Sequence, residues 1–114
     1  DGDIRKLMDW LVGTGLDALG PLEAVPGMEL DKVIAKYPGS ITVMGNMSVD
    51  LLGRGSVADV VAATKHLLKT VSARGAHIMS SGNTITSAVR PENYVAMVRT
   101  VQEFGRYPIA AEKL

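Results

Sequence analysis

Three polar sites in this chain stand at or a few residues past the ends of short apolar runs: Glu23, Asn46 and Ser81-Gly82-Asn83. Side chains there sit at the end of an element and face open space, where chemistry is done. Glu23 offers a carboxylate, which can ligate a metal or move a proton; the same residue in an exposed turn has neither role. The amides of Asn46 and Asn83 can bind a substrate carboxylate or carbonyl, or hold a turn that needs left-handed backbone. For Asn83 the position favours the site, with Ser81 and Gly82 as neighbours toward substrate; for Asn46 the two readings stand equal. Gly53-Arg54-Gly55-Ser56 pairs a cation with free amides before a helix start, a place for phosphate or carboxylate. Capping by Ser56 also explains it as a plain helix entry. His66 shares a face with Lys65 and Lys69 and reads as solvated, while His77 opens an apolar run at the opposite end from these groups and reads as packed. No Ser-His-Asp set and no phosphate-binding Gly-rich loop is present.

The elements that must position these groups follow from periodicity. Ile4, Leu7, Met8, Leu11 and Val12 keep helical spacing, with Asp3 as the expected cap and Gly13 to Gly15 as the stop. Leu16 to Leu19 reads as a buried strand ended by Gly20-Pro21. Leu30, Val33, Ile34 and Tyr37 predict a second helix, and Ile41 to Met44 a second strand. Ser56 and Asp59 form a capping box for a helix burying Val57, Val60, Val61, Thr64, Leu67, Leu68 and Val71. Gly75 is placed for positive φ. Ala76 to Ser81 is the third strand, and Pro91 starts a last helix ended by Gly105. Strands alternating with helices predict an α/β fold with parallel pairing through right-handed crossovers. If the two crossovers share a hand, helices cover one face of the sheet and leave the other for something else to cover.

Composition limits the alternatives. Of 114 residues 46% are apolar but only 4% aromatic, so the core must be aliphatic. Twelve basic and twelve acidic side chains cancel, which argues against nucleic acid and against an anionic membrane surface as partners. The absence of cysteine excludes disulfides and thiolate metal ligation within the segment and suits a cytoplasmic protein. Asp1-Gly2-Asp3 reads as the middle of a longer chain.

Gly15-Leu16-Asp17-Ala18-Leu19, Pro21-Leu22-Glu23, Gly27-Met28, Met44-Gly45-Asn46, Gly55-Ser56 and Ser80-Ser81-Gly82 resemble, in order and spacing, the later part of the uroporphyrinogen decarboxylase superfamily. Arg90-Pro91-Glu92-Asn93 and Phe104-Gly105-Arg106-Tyr107-Pro108 are the most specific pieces. The resemblance implies that residues 1–114 are the last three units of a (β/α)₈ TIM barrel, preceded by the helix that follows strand five. The superfamily holds the tetrapyrrole decarboxylase of heme biosynthesis and zinc-dependent methyltransferases that use methylated corrinoids. The decarboxylase branch has Gly-His-Gly where this chain has Gly82-Asn83-Thr84. The methyltransferase branch carries zinc on a His-x-Cys pair, whose cysteine falls at Asp1, and on a cysteine that falls at Asn83. The Pro-Leu-Glu turn at Pro21 to Glu23 looks more like the methyltransferase and uncharacterised branches.

On this resemblance Glu23 and Asn83 are the expected catalytic positions; Asn46, Ser81, Gly82 and Arg54 contact substrate; and Asp1 and Glu23 are what is left of a metal site. The parent would be a corrinoid-dependent methyltransferase-like enzyme, with a corrinoid protein as partner and zinc as its metal, or a uroporphyrinogen decarboxylase. The segment itself is expected to hold no cofactor and to be inactive alone. Its open face is expected to be covered by the missing part of the barrel or by a second copy. A non-catalytic binding or assembly module that kept the fold is the contrasting class, because fold does not decide function.

Overall fold

Every apolar run becomes a strand and every periodic segment a helix in the computed structural model, which describes residues 1–114. The order is α1 (Arg5–Gly13), β1 (Ala18–Leu22), α2 (Leu30–Ile34), β2 (Thr42–Met47), α3 (Val49–Arg54), α4 (Val57–Thr70), β3 (His77–Ser81) and α5 (Pro91–Phe104). Short 3₁₀ turns cover Ser72–Arg74 and Ala111–Lys113. The strands form one open parallel sheet in the order β1-β2-β3. Consecutive parallel strands joined by helices are βα units, as the alternation of patterns predicts. No helix is long and apolar enough to cross a membrane.

β1 differs from its sequence reading in an informative way. It runs through Gly20 and Pro21 instead of stopping before them. Leu19 pairs with Val43 and Leu22 with Gly45, so two residues of β1 stand opposite Met44 alone. Such a bulge takes up a proline that has no amide to give the ladder. It also resets the alternation by one residue. Leu22 thereby falls on the same face as Val43 and is 3% exposed, and the next residue, Glu23, leaves the core.

The covered face carries the core. Met28, Val43, Leu52 and Val60 are fully enclosed, with Met8, Leu30, Met47, Val71 and Met97 beside them. Full burial of each such side chain is worth about 1.5–3 kcal/mol. The other face of the sheet is bare of helices. There Met44 is the register partner of Ile78, which is 50% exposed, and the α-carbon of Gly20 lies against Met44.

Three further departures have local causes. Asp3 does not cap α1; its carboxylate accepts from the Arg5 backbone amide at 3.0 Å and is clasped by the Arg5 guanidinium at 2.6 Å. An extra short helix, α3, takes in Gly53 and Arg54 of the Gly-Arg-Gly-Ser run, its start capped by the Ser48 hydroxyl, which accepts from Leu51 N at 3.2 Å. α2 is shorter than its pattern and passes into turns before Tyr37. The Ser56–Asp59 capping box forms in full at the start of α4, and Pro91 opens α5.

The Arg-Pro-Glu-Asn motif acts as a clamp. The fully buried Asn93 amide donates to Leu52 O at 3.0 Å and Gly55 O at 2.9 Å, and the Arg90 guanidinium also donates to Gly55 O. The carbonyls that α3 cannot pair at its end are thus satisfied from α5.

Candidate functional site at the carboxyl ends of the strands

Glu23 leads the loop after β1, Asn46 is the next-to-last residue of β2, and Ser81 ends β3. Parallel pairing brings all three ends to one edge of the sheet. Asn46 is buried and has φ 76°, a left-handed backbone that asparagine tolerates. Its amide donates to Glu23 O at 3.2 Å and Met28 O at 3.0 Å, so it ties down the loop that carries Glu23. Of the two roles open to Asn46, this geometry is that of a loop anchor. Gly82 closes on the same loop from the other side. A Cβ there would stand 2.9 Å from both Glu23 Cα and Leu22 O, and only glycine permits that approach. The Gly82 amide donates to Met47 O at 2.8 Å and continues the sheet past Ser81.

With its backbone gripped twice, Glu23 presents a fixed carboxylate. Gly2 N donates to Oε2 at 2.7 Å, and the Asn83 amide donates to Oε1. The same amide nitrogen lies 3.3 Å from Asp1 Oδ1. The Asn83 side-chain oxygen accepts from Thr84 N at 2.7 Å, and the Ser81 hydroxyl donates to Asn83 O at 2.7 Å, fixing both ends of Asn83. The donation from Gly2, and then that from Asn83, hold the Glu23 carboxyl below its ordinary pKa of 4.5. Glu23 is therefore an anion at neutral pH. It can accept a hydrogen bond or stabilise positive charge, but it is a poor proton donor.

A hollow of about 170 Å³ opens beside this cluster, lined by Glu23, Met47, Ser48, Asp50, Gly82 and Asn83. Asp50 and Ser48 were not among the sequence candidates. The cap pattern Ser48-Val49-Asp50-Leu51 carried the signal, hidden by an apolar stretch too short to show helical period. Arg54 does not line the hollow. Its guanidinium pairs with Asp50 at 2.7 Å across one turn of α3, with both side chains largely exposed. The hollow between α1 and α2, about 300 Å³, contains none of the strand-end groups.

The histidines stand apart. His66 is exposed on α4. His77 is buried at the far end of β3, where Nδ1 accepts from the Ser72 hydroxyl at 2.7 Å and Nε2–H donates to Gly45 O at 3.2 Å. Burial lowers its pKa below 6.5, and the contact with Gly45 offsets part of that. A neutral ring with both nitrogens engaged is structural.

As for zinc, the strand ends supply two carboxylates and one amide, with no imidazole or thiolate. No three His, Cys, Asp or Glu side chains converge anywhere in the chain. That donor set does not fit a zinc site, and no step below passes through the metal.

A family model described as uroporphyrinogen decarboxylase (URO-D) matches residues 1–104. No curated protein and no solved structure gives a significant match.

Proposed function

The chain belongs to the uroporphyrinogen decarboxylase family, and from that premise we propose that it is the carboxyl-terminal part of a (β/α)₈ barrel enzyme of the methyltransferase-like branch. One observation carries the reading: Asp1 and Asn83, 82 residues apart, meet at 3.3 Å, and Asn83 also binds Glu23. Asp1 and Asn83 are the two positions that the resemblance assigns to a single site. They meet at the carboxyl ends of parallel strands, where barrel enzymes do their chemistry.

In this reading the bare face of the sheet, with Gly20, Met44 and Ile78, is barrel interior, and the rest of the barrel covers it. Glu23 and Asp1 accept hydrogen bonds from a substrate N–H, O–H or S–H. Asn83 holds both carboxylates in register, while Asn46 and Gly82 hold the Glu23 loop from behind. The hollow beside Asp50 receives part of the substrate, and a corrinoid protein delivers the methyl group. The isolated chain is inactive because the remaining strands must contribute groups held in register.

The test is methyl transfer from methylcobalamin to a thiol by the longer polypeptide that contains this segment. Transfer that Glu23→Gln or Asn83→Ala lowers by about 10²-fold, with KM little changed, is the expected outcome. Decarboxylation of uroporphyrinogen in its place selects the tetrapyrrole branch, and the absence of both activities overturns the enzymatic reading in favour of a binding module.

A further inference from the structure

The hollow between α1 and α2 differs in its chemistry from the strand-end site. Its floor is apolar: Met8 and Val33 are buried there, and Tyr37 lines it beside them. The Tyr37 hydroxyl donates to Asp9 on α1, which fixes the ring and ties the end of α2 to α1. Around this floor stand three cations, Arg5, Lys32 and Lys36, against one carboxylate, Glu29. The chain as a whole carries no net charge, so positive charge is concentrated here beside apolar surface.

Arg5 is held in place. Its Nε and Nη2 donate to the Asp3 carboxylate at 2.9 and 2.6 Å, which leaves Nη1 free to donate outward. The guanidinium lies against Gly27, where φ is 89° and a Cβ would stand 2.5 Å from Arg5 Cζ. Glycine leaves that seat open, and a planar fork already fixed on one edge loses little freedom when its other edge takes an oxygen. Lys32 and Lys36 line the hollow from the α2 side, four residues apart and so on one face of the helix and the turn that continues it. The three salt bridges of the chain involve neither ammonium. Cations near a helix end also complement its last carbonyls, but that role needs neither an apolar floor nor an arginine from α1. Even with Asp3 set against Arg5 and Glu29 against one lysine, one ammonium is left without a counter-charge.

A phosphate monoester has three terminal oxygens, enough for the free edge of Arg5 and both ammonium groups. The floor suits a flat apolar ring, since the Met8 thioether adapts to irregular shapes. At about 300 Å³ the hollow stands at the small end of cavities that hold organic ligands. We propose that the α1–α2 hollow binds a small organic phosphate monoester, its ring on Met8, Val33 and Tyr37 and its phosphate held by Arg5, Lys32 and Lys36. The proposal does not rest on the methyl-transfer reading, since none of these residues belongs to the strand-end cluster.

Amide NMR titration of the full chain with phenyl phosphate tests it. Saturable shifts at Met8, Gly27 and Val33 are expected, with a dissociation constant of about 1 mM for a ligand of this size. Inorganic phosphate, which lacks the ring, should bind about tenfold more weakly, and phenol, which lacks the charge, should not bind. Lys32 and Lys36 are both exposed, so their replacement should leave the fold intact. Lys32→Gln with Lys36→Gln should weaken phenyl phosphate about tenfold or more, while Lys65→Gln on α4 should leave it unchanged. A chain with no saturable shift below about 10 mM overturns the proposal. So does binding that survives the loss of both lysines. Inorganic phosphate bound as tightly as phenyl phosphate would mark an adventitious ion only and overturn it as well.

Discussion

Replacing Asn46 with alanine separates the loop-anchoring role from backbone strain and gives each a magnitude. The side chain makes two hydrogen bonds, to Glu23 O and Met28 O, and the second is buried. Each is worth about 1 kcal/mol net, and a carbonyl stranded in the interior adds to the loss. Alanine must also keep the φ of 76°, which costs about 1 kcal/mol more than asparagine pays. Asn46→Ala should therefore lose about 3 kcal/mol. Asn46→Gly loses the same bonds without the backbone cost and should lose about 2 kcal/mol. Urea denaturation at neutral pH measures both; with a slope of about 1.5 kcal/mol per molar, the alanine midpoint should fall by about 2 M. The loop anchor also steadies Glu23, so the Glu23 pKa should move back toward 4.5 in both variants, which an NMR titration of the carboxyl carbon would follow. An alanine variant within about 0.5 kcal/mol of the parent chain, or a glycine variant clearly less stable than the alanine one, would refute the reasoning.

Three other outcomes are expected. The His77 pKa lies below 6.5 in the folded chain, so the unfolded chain takes up a proton first as the pH falls. The stability that neutral His77 contributes is complete above pH 6.5 and is lost as the pH drops through the folded value; thermal melts between about pH 7 and pH 5 should show this slope, and His77→Gln should flatten it. Gly82→Ala places a methyl group 2.9 Å from Glu23 Cα and Leu22 O, and should cost about 1–3 kcal/mol while shifting the amide resonances of residues 22–24. Asn83→Ala removes the second of the two donors that hold Glu23 down, so the Glu23 pKa should rise without reaching 4.5, because Gly2 N still donates; an unchanged value would show that the Asn83 contact does not form in solution.

The amphipathic helices were legible because period and punctuation agreed: Ser56, Asp59, Pro91 and Gly105 all stand where the structure ends or begins a helix. β1 was displaced because glycine and proline usually end a strand, and nothing local announces that a bulge will absorb them. α3 escaped because one and a half turns carry too little period to be seen, although its Ser48 cap was in plain view. Of the site, Glu23, Asn83 and Asp1 could be named from position and resemblance, and the structure brings them together. Arg54 was expected to contact substrate, whereas the structure pairs it with Asp50, which lay in the unseen helix. The anchoring by Asn46 and the close packing of Gly82 depend on contacts across the sheet, which sequence spacing does not encode. His77 was legible as packed, but its partners Ser72 and Gly45 come from two other segments.

The strand order β1-β2-β3 bears on how the chain is made as well as on what it does. Each strand docks beside the one synthesised just before it, so as the polypeptide leaves a ribosome no pairing has to wait for a distant partner. Only the loop closed by the intervening helix opposes each addition, and that entropic cost grows slowly with length. A sheet built this way grows at one margin, unit by unit, and the last strand laid down is always the template for the next. The Arg90–Asn93 clamp then serves as a latch. It grips the carbonyls of Leu52 and Gly55 only after β3 has emerged and α5 has folded back, so the earlier helices receive their final hydrogen bonds from the newest part of the chain.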